Sequence, residues 1–252
     1  MSMERVIAIG DVHGCLEEFR DLLNLVSYRP GVDTVVQLGD LLDRGPDPVG
    51  CVRFARELGI RVLRGNHECK HIRWRKHETS RGSKKNPVQG IHGLRAEQNL
   101  ALSDADMEWL NSLPLMIELR KGLVAVHAGL EPAYALAQQG AAVCRVRYVD
   151  EAGKMLSLHD QAKNPGATFW AERWRGPESV VYGHAVHSLS EPRVDRFDGG
   201  ACYGIDTGAV FGGMLTALVI AEDRRVEFVQ VQAKATYYQG FKSERDRIAS
   251  LV

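Results

Sequence analysis

Residues 6–14 read VIAIGDVHG. Four apolar residues in a row suit a buried strand, and the glycine that ends the run lets the backbone turn sharply. Asp11 and His13 follow two residues apart. At a strand end that spacing turns both side chains to one side, where both can reach a single cation. The design recurs. TVVQLG (34–39) leads into Asp40 and then Asp43-Arg44-Gly45, IRVLRG (60–65) into Asn66-His67, and LVAV (123–126) into His127. VVYG (180–183) leads into His184, and Tyr203-Gly204-Ile205 into Asp206. Ligands of open α/β sheets bind at the carboxyl ends of strands, and here each strand end carries an oxygen or nitrogen donor.

Between the runs lie amphipathic helices. CLEEFRDLLNLV (15–26) sets Leu16, Phe19, Leu22, Leu23 and Val26 on one face, and PVGCVRFARELG (48–59) does so with Val49, Val52, Phe54, Ala55 and Leu58. Strand, loop, helix, strand makes an α/β fold. Residues 203–231 read as consecutive strands, so part of the sheet is antiparallel. No repeat or linker interrupts the chain. The expected division is one domain over 1–232 and a polar, peripheral tail over 233–252.

Lys+Arg and Asp+Glu both number 32, so no global field draws in nucleic acid or anionic lipid. Five cysteines without a CxxC pair argue against a disulfide framework and a thiolate zinc site, and fit a reducing compartment. The apolar run at Val6–Ile9 is too short for a signal peptide, and no stretch reaches the ~20 residues of a membrane helix. The expected setting is the cytoplasm, with no membrane and no obligate protein partner.

Taken singly, the motifs have plain structural explanations. Asp11 could cap a helix, Asn66 could serve a turn, and His127 or His184 could be satisfied core histidines. Jointly they do not. Buried carboxylates and imidazoles gathered this densely cost several kcal/mol unless cations or protons compensate them. Asp, His and Asn donors suit Mn, Fe or Zn over Mg or Ca. Two ions fit so many donors better than one, with Asp40 as the bridging carboxylate and Arg44 as a planar fork for phosphate oxygens.

LRGNHECKHI (63–72) also contains the HExxH of zinc proteases. That chemistry needs both histidines on a helix and Glu68 as general base, and it leaves the other strand ends unexplained. The protease reading is therefore rejected, and Glu68→Gln is expected to be tolerated. Residues 70–85 carry seven Lys/Arg, either as a solvated surface or as a basic flap in which Arg73 grips phosphate and Trp74 stacks on a base.

GDVHG (10–14), GDLLDRG (39–45), RGNHE (64–68), VHAG (126–129) and YGH (182–184) resemble, in order, the metallophosphoesterases of the phosphoprotein-phosphatase family. The resemblance spans residues 7–218 and implies two facing mixed β-sheets flanked by helices. It implies two divalent ions, manganese first with Fe, Zn, Ni or Co as alternatives. One would be held by Asp11, His13 and Asp40, the other by Asp40, Asn66, His127 and His184. His67 and Asp43 would form the acid pair, and Arg44 would bind phosphate. NPVQGIHGLRAEQ (86–98), VVYGHAV (180–186) and IDTGAVFGGMLTAL (205–218) are similar to bacterial asymmetric-type dinucleoside tetraphosphatases and to the phosphatase module of RNA-repair kinase–phosphatases. This implies in-line attack of a metal-bound hydroxide on a dinucleoside polyphosphate such as diadenosine tetraphosphate, with Asp206 in the site. The alternative is a serine/threonine phosphatase or a broad phosphomonoesterase or phosphodiesterase, whose substrate could be a phosphoprotein or an RNA end. A second phosphate-binding arginine is expected within 130–178, with Arg173 and Arg175 as candidates. Cys15 and Cys69, which follow metal-site motifs, are read as small packing residues.

Overall fold

The run Val6–Ile9 forms β1, the middle strand of a five-stranded sheet, and all four of its residues are buried. Both faces are covered. Ile7 and Ile9 pack on helices, while Val6 and Ala8 pack on a second five-stranded sheet. The computed structural model describes residues 5–241 apart from 81, 83, 222 and 224. In the first sheet, β1 lies parallel to β2 (Thr34–Gln37), and β2 lies parallel to β3 (Arg61–Val62).

The second sheet uses β4 (Met116–Arg120), β5 (Leu123–Val126), β8 (Ser179–Tyr182), β9 (Arg193–Phe197) and β10 (Gly200–Gly204), in the order β4-β5-β8-β10-β9. Its three inner strands are parallel and its two edges antiparallel. A two-stranded ribbon of β6 (Tyr148–Val149) and β7 (Thr168–Phe169) sits apart. β11 (Met214–Ile220) returns to the first sheet, antiparallel to β1, and β12 (Val226–Gln232) closes its edge. The expected mixed sheets are present. Of the strands expected over 203–231, β11 and β12 form an antiparallel pair, whereas Tyr203 and Gly204 end β10, in the second sheet and parallel to β8.

Register brings the site together. Ile9 stands opposite Gln37, and Gln37 opposite Val62, so β1, β2 and β3 end level. The sandwich is tied at that end by a hydrogen bond from His127 Nδ1, after β5, to the Leu38 carbonyl, after β2, at 2.8 Å.

Helix α1 (Leu16–Leu25) buries Leu16, Phe19, Leu22 and Leu23 as its periodicity requires. α2 (Pro48–Glu57) starts on Asp47, whose side chain accepts from the Gly50 amide at 2.7 Å, and it buries Cys51, Val52 and Ala55. Leu58, expected on that face, is exposed beyond the helix end. α3 (Asn66–Ser80) packs on both α4 (Leu94–Ala101) and α5 (Asp104–Ser112), and α4 packs on α2.

The chain after β12 is docked as far as Phe241. The Lys234 amide and the Tyr237 hydroxyl both donate to Glu18, at 2.9 and 2.8 Å, and the Tyr238 amide donates to the Val210 carbonyl at 2.9 Å. Residues 242–252 of the polar tail lie outside the described residues. No helix among the described residues is long and apolar enough to cross a membrane.

Candidate metal centre

The loops after β1, β2, β3, β5, β8 and β10 deliver Asp11, His13, Asp40, Asn66, His127, His184 and Asp206 to one place. Asp11, His13, Asp40, His127 and Asp206 are all buried. The backbone bends hard to present them. His13, Asp40, Asp43, Arg44 and His184 all have positive φ, which costs a residue with a side chain roughly 1–2 kcal/mol. Glycine is required where the loops crowd. A Cβ on Gly65 would stand 2.2 Å from an Asp40 carboxylate oxygen, and one on Gly183 would stand 2.1 Å from that of Asp11.

Backbone carbonyls set the imidazoles. His13 Nδ1 donates to Leu42 and His127 Nδ1 to Leu38, both at 2.8 Å, which aims each Nε2 inward, that of His13 at an Arg44 nitrogen 2.7 Å away. His127 Nε2 lies 3.4 Å from Asp40 and 3.1 Å from the Asn66 side-chain oxygen. Donor atoms of Asp40, His127 and His184 lie within 4.8 Å of one another, and so do those of Asp40, His13 and His67. Asp40 belongs to both groups. The second expected ligand set is thus assembled, Asn66 included. In the first, His13 and Asp40 are joined by His67, whereas the Asp11 carboxylate turns to the His184 amide at 3.1 Å.

The donor chemistry fits cations. Burial, and then the charges of Asp206 and Asp40, push the Asp11 carboxyl up, and burial raises Asp206 to about 6. Burial lowers His127, but the Asp40 and Asp11 carboxylates outweigh it and lift the imidazole to about 10. The carboxylates around His127 thus draw positive charge into the cluster. Oxygen and imidazole donors with too much negative charge are what a pair of divalent ions requires.

Beside this cluster lie His67 and Asp43, the residues expected to form the acid pair. His67 Nδ1 bonds one Asp43 oxygen, and Nε2 faces Arg44 at 3.4 Å. Asp43 is held from three directions. His71 Nε2 donates to it at 2.8 Å, Arg95 grips it with two nitrogens, and His67 completes the set. Hydrogen bonds from these partners overcome burial and hold the Asp43 carboxyl far below the usual range. Asn99 in turn fixes His71 Nδ1 at 3.0 Å.

The HExxH stretch is helical after all, lying in the first turns of α3. Geometry still rules out the protease. His67 and His71 point at the two oxygens of Asp43, and Glu68 is fully buried. Its carboxylate accepts from the amides of Asp40, Leu41, Leu42 and Gly65 at 2.8, 3.0, 3.3 and 3.0 Å. Glu68 clamps the loop that carries Asp40, which speaks against the expectation that Glu68→Gln is tolerated.

The arginine candidates are corrected as well. Trp170 and Trp174 are buried one helical turn apart, and neither Arg173 nor Arg175 lines the cavity over Asp40. Arg173 bonds the Glu151 carbonyl and Arg175 that of Trp174. A cavity of about 440 Å³ over Asp40, Asn66 and His184 is lined instead by Arg145 and Arg147, and Arg147 donates to the His184 carbonyl at 2.9 Å. Their alternation in CRVRY (144–148) is the only trace in the sequence. On α3, Trp74 packs inward on Val88 and Ile91, so it cannot stack on a base. Arg75 bonds Asn99, and Arg73 is exposed and does not line the cavity. Cys15 is buried, and Cys69 packs half-buried against the cluster containing Cys144, as small packing residues would.

Known proteins resemble the chain along most of its length. The asymmetrical bis(5'-nucleosyl)-tetraphosphatase PrpE of Bacillus subtilis is 31% identical, over 91% of this chain and 95% of its own. Its counterpart from Oceanobacillus iheyensis is 29% identical, over 92% and 94%. A crystal structure of a protein provisionally described as a diadenosine tetraphosphatase superposes with a TM-score of 0.71 at 28% identity, over 90% of this chain and 94% of that one. The profile described as Calcineurin-like phosphoesterase matches residues 4–208, and the chain belongs to that family.

Proposed function

We propose that the chain is a metal-dependent phosphohydrolase that cleaves dinucleoside polyphosphates such as diadenosine tetraphosphate. One observation carries the reading. Asp40 is shared by two groups of metal-capable donors, directly beside a carboxylate-held histidine and a cavity rimmed by Arg44, Arg145 and Arg147. Asp11, His13 and Asp40 would hold one divalent ion, and Asp40, Asn66, His127 and His184 the other. Manganese is the first candidate, with Fe, Zn, Ni or Co behind it. Bound there, the ions would supply Lewis acidity toward the phosphoryl oxygens.

The rest falls to side chains. Arg44 and Arg147 present planar forks to phosphate oxygens, and their charge meets the charge that develops in the transition state. His67 has Nδ1 tied to Asp43, so Nε2 is the atom that gives a proton to the leaving oxygen. Arg95 and His71 keep Asp43 oriented, and Asp206 lends its charge beside Asp11. A nucleotide substrate accords with the relatives, and the cytoplasm is the compartment that five unpaired cysteines suit.

The test is steady-state kinetics with added Mn on diadenosine tetraphosphate, a phosphoserine peptide and a 2',3'-cyclic nucleotide. The dinucleotide should give the highest kcat/KM. Preference for the peptide or the cyclic nucleotide would replace this reading with a protein phosphatase or an RNA-end phosphatase.

A further inference from the structure

The cavity over Asp40 is one of two that meet at Arg44 and His67. The second, about 370 Å³, is lined further by Asp43, Leu94, Arg95, Gln98 and Tyr238, and by none of Asp11, His13, Asp40, Asn66, His127 and His184. Its wall is apolar where solvent reaches it. Leu94 is 67% exposed and Tyr238 49%, although both are large and Leu94 opens a helix turn where a polar residue would serve. Tyr238 is also firmly placed. Its amide donates to Val210, its ring meets Phe211 edge-on at 6.1 Å, and Phe241 packs on Phe211 at 5.4 Å. The Arg44 guanidinium stands 5.4 Å from the Phe211 ring and 5.8 Å from that of Tyr238. The residues after β12 thus build one side of a chamber that opens onto the reacting groups.

We propose that this second cavity binds the nucleoside of the leaving portion of the substrate, its base against Tyr238 and Leu94 and its edge toward Gln98. The inference rests on the dinucleoside polyphosphate activity proposed above. Its direction comes from the acid. Water adds to phosphorus and releases one proton to solvent, from which His67 is later reprotonated, and the P–O bond to the leaving phosphate breaks with its electron pair on the leaving oxygen. That oxygen takes its proton from His67. In-line displacement drives the leaving group away from the donors around Asp40 and past His67, and the space beyond His67 is this cavity. A dinucleoside polyphosphate has a base at each end, so it can fill one chamber on either side of Arg44. A phosphoserine side chain has nothing to place there. An aromatic face accepts every base, so Tyr238 selects nucleosides without choosing among bases.

The experiment compares kcat/KM on diadenosine tetraphosphate and p-nitrophenyl phosphate for wild type, Tyr238→Ala, Tyr238→Phe and Leu94→Ser. Tyr238→Ala should lower the ratio of the two values about tenfold, within the range for losing an aromatic platform under a base. Tyr238→Phe should restore it, since the ring remains. Leu94→Ser alters an exposed residue and should lower the ratio even if Tyr238→Ala loosens the tail; a fall in either variant supports the proposal. An unchanged ratio in both, with wild type active on the dinucleotide, overturns this proposal alone. A wild type that cleaves the aryl phosphate but not the dinucleotide overturns the substrate reading, and the proposal with it.

Discussion

Glu68→Gln separates a loop clamp from a reacting base. The carboxylate accepts four backbone amides, two on each oxygen, from Asp40 and Gly65 and from Leu41 and Leu42. Glutamine keeps one oxygen and turns an NH2 group toward two of those amides. Hydrogen bonds to a charged group contribute about 1.5–3 kcal/mol each, so losing two costs roughly 3–6 kcal/mol. Burial, and then the Asp40 charge, raise the Glu68 carboxyl to about 7, which argues for the low end of that range. A loss of about 3 kcal/mol is a large share of a domain's ~5–15 kcal/mol. At a urea slope of ~2 kcal/mol/M it moves the unfolding midpoint by roughly 1.5 M. Activity should collapse with it, because Asp40, Asp43 and Arg44 hold positive φ only while the loop is pinned. The assay is urea unfolding followed by fluorescence, beside kcat/KM on p-nitrophenyl phosphate at a temperature where the variant is folded. An unchanged midpoint would refute the clamp, and loss of activity at full stability would instead make Glu68 a reacting group.

Removing the acid should matter in proportion to how poor the leaving group is. His67→Ala should cost about 10²–10⁴-fold on an alkyl phosphate and distinctly less on diadenosine tetraphosphate or an aryl ester; equal losses on all three, with falling metal content, would make His67 a ligand. Asp40→Asn should abolish turnover and lower the bound-metal count by elemental analysis, because that residue belongs to both donor groups; two metals retained would end the bridging assignment. Far from the site, burial raises Asp33, but hydrogen bonds from Arg5 and Arg29 prevail and hold its carboxyl well below the usual range. A lowered folded pKa stabilises above the unfolded value near ~4 and loses that contribution as pH falls through the folded one. Asp33→Asn should therefore be less stable than wild type at pH 7, with the gap closing as pH drops below ~4; a gap independent of pH would refute the linkage.

The sheets and the donor cluster were legible because each donor stands immediately after a short apolar run. The strand fixes where such a residue goes, and level strand ends do the rest. What resisted reading depends on contacts that no local pattern encodes. Arg95 reaches Asp43 from α4, and nothing at positions 94–96 announces it. Arg173 and Arg175 looked suitable by charge, but the buried tryptophans beside them decide which way that segment faces. Trp74 reads in the sequence as a platform for a base, yet α3 needs it against Val88 and Ile91. The polar composition after Ala233 likewise concealed Tyr237 and Tyr238, whose partners Glu18 and Val210 lie elsewhere in the chain. Periodicity locates an element; what covers it is a tertiary question.

Among the described residues, six non-glycine positions have positive φ, and all but Ser27 carry the donors, the acid pair or the arginine of the site. Natural selection for folding alone would remove this feature first. A substitution to glycine at any of these five positions relieves the backbone while deleting the side chain, so a lineage freed from catalysis would gain robustness by the same steps that disarm it. Directed evolution that screens only for heat resistance should drift the same way. It would collect glycines at 13, 40, 43, 44 and 184 before it improved the core, and a screen that also demands turnover would have to look elsewhere for its gains.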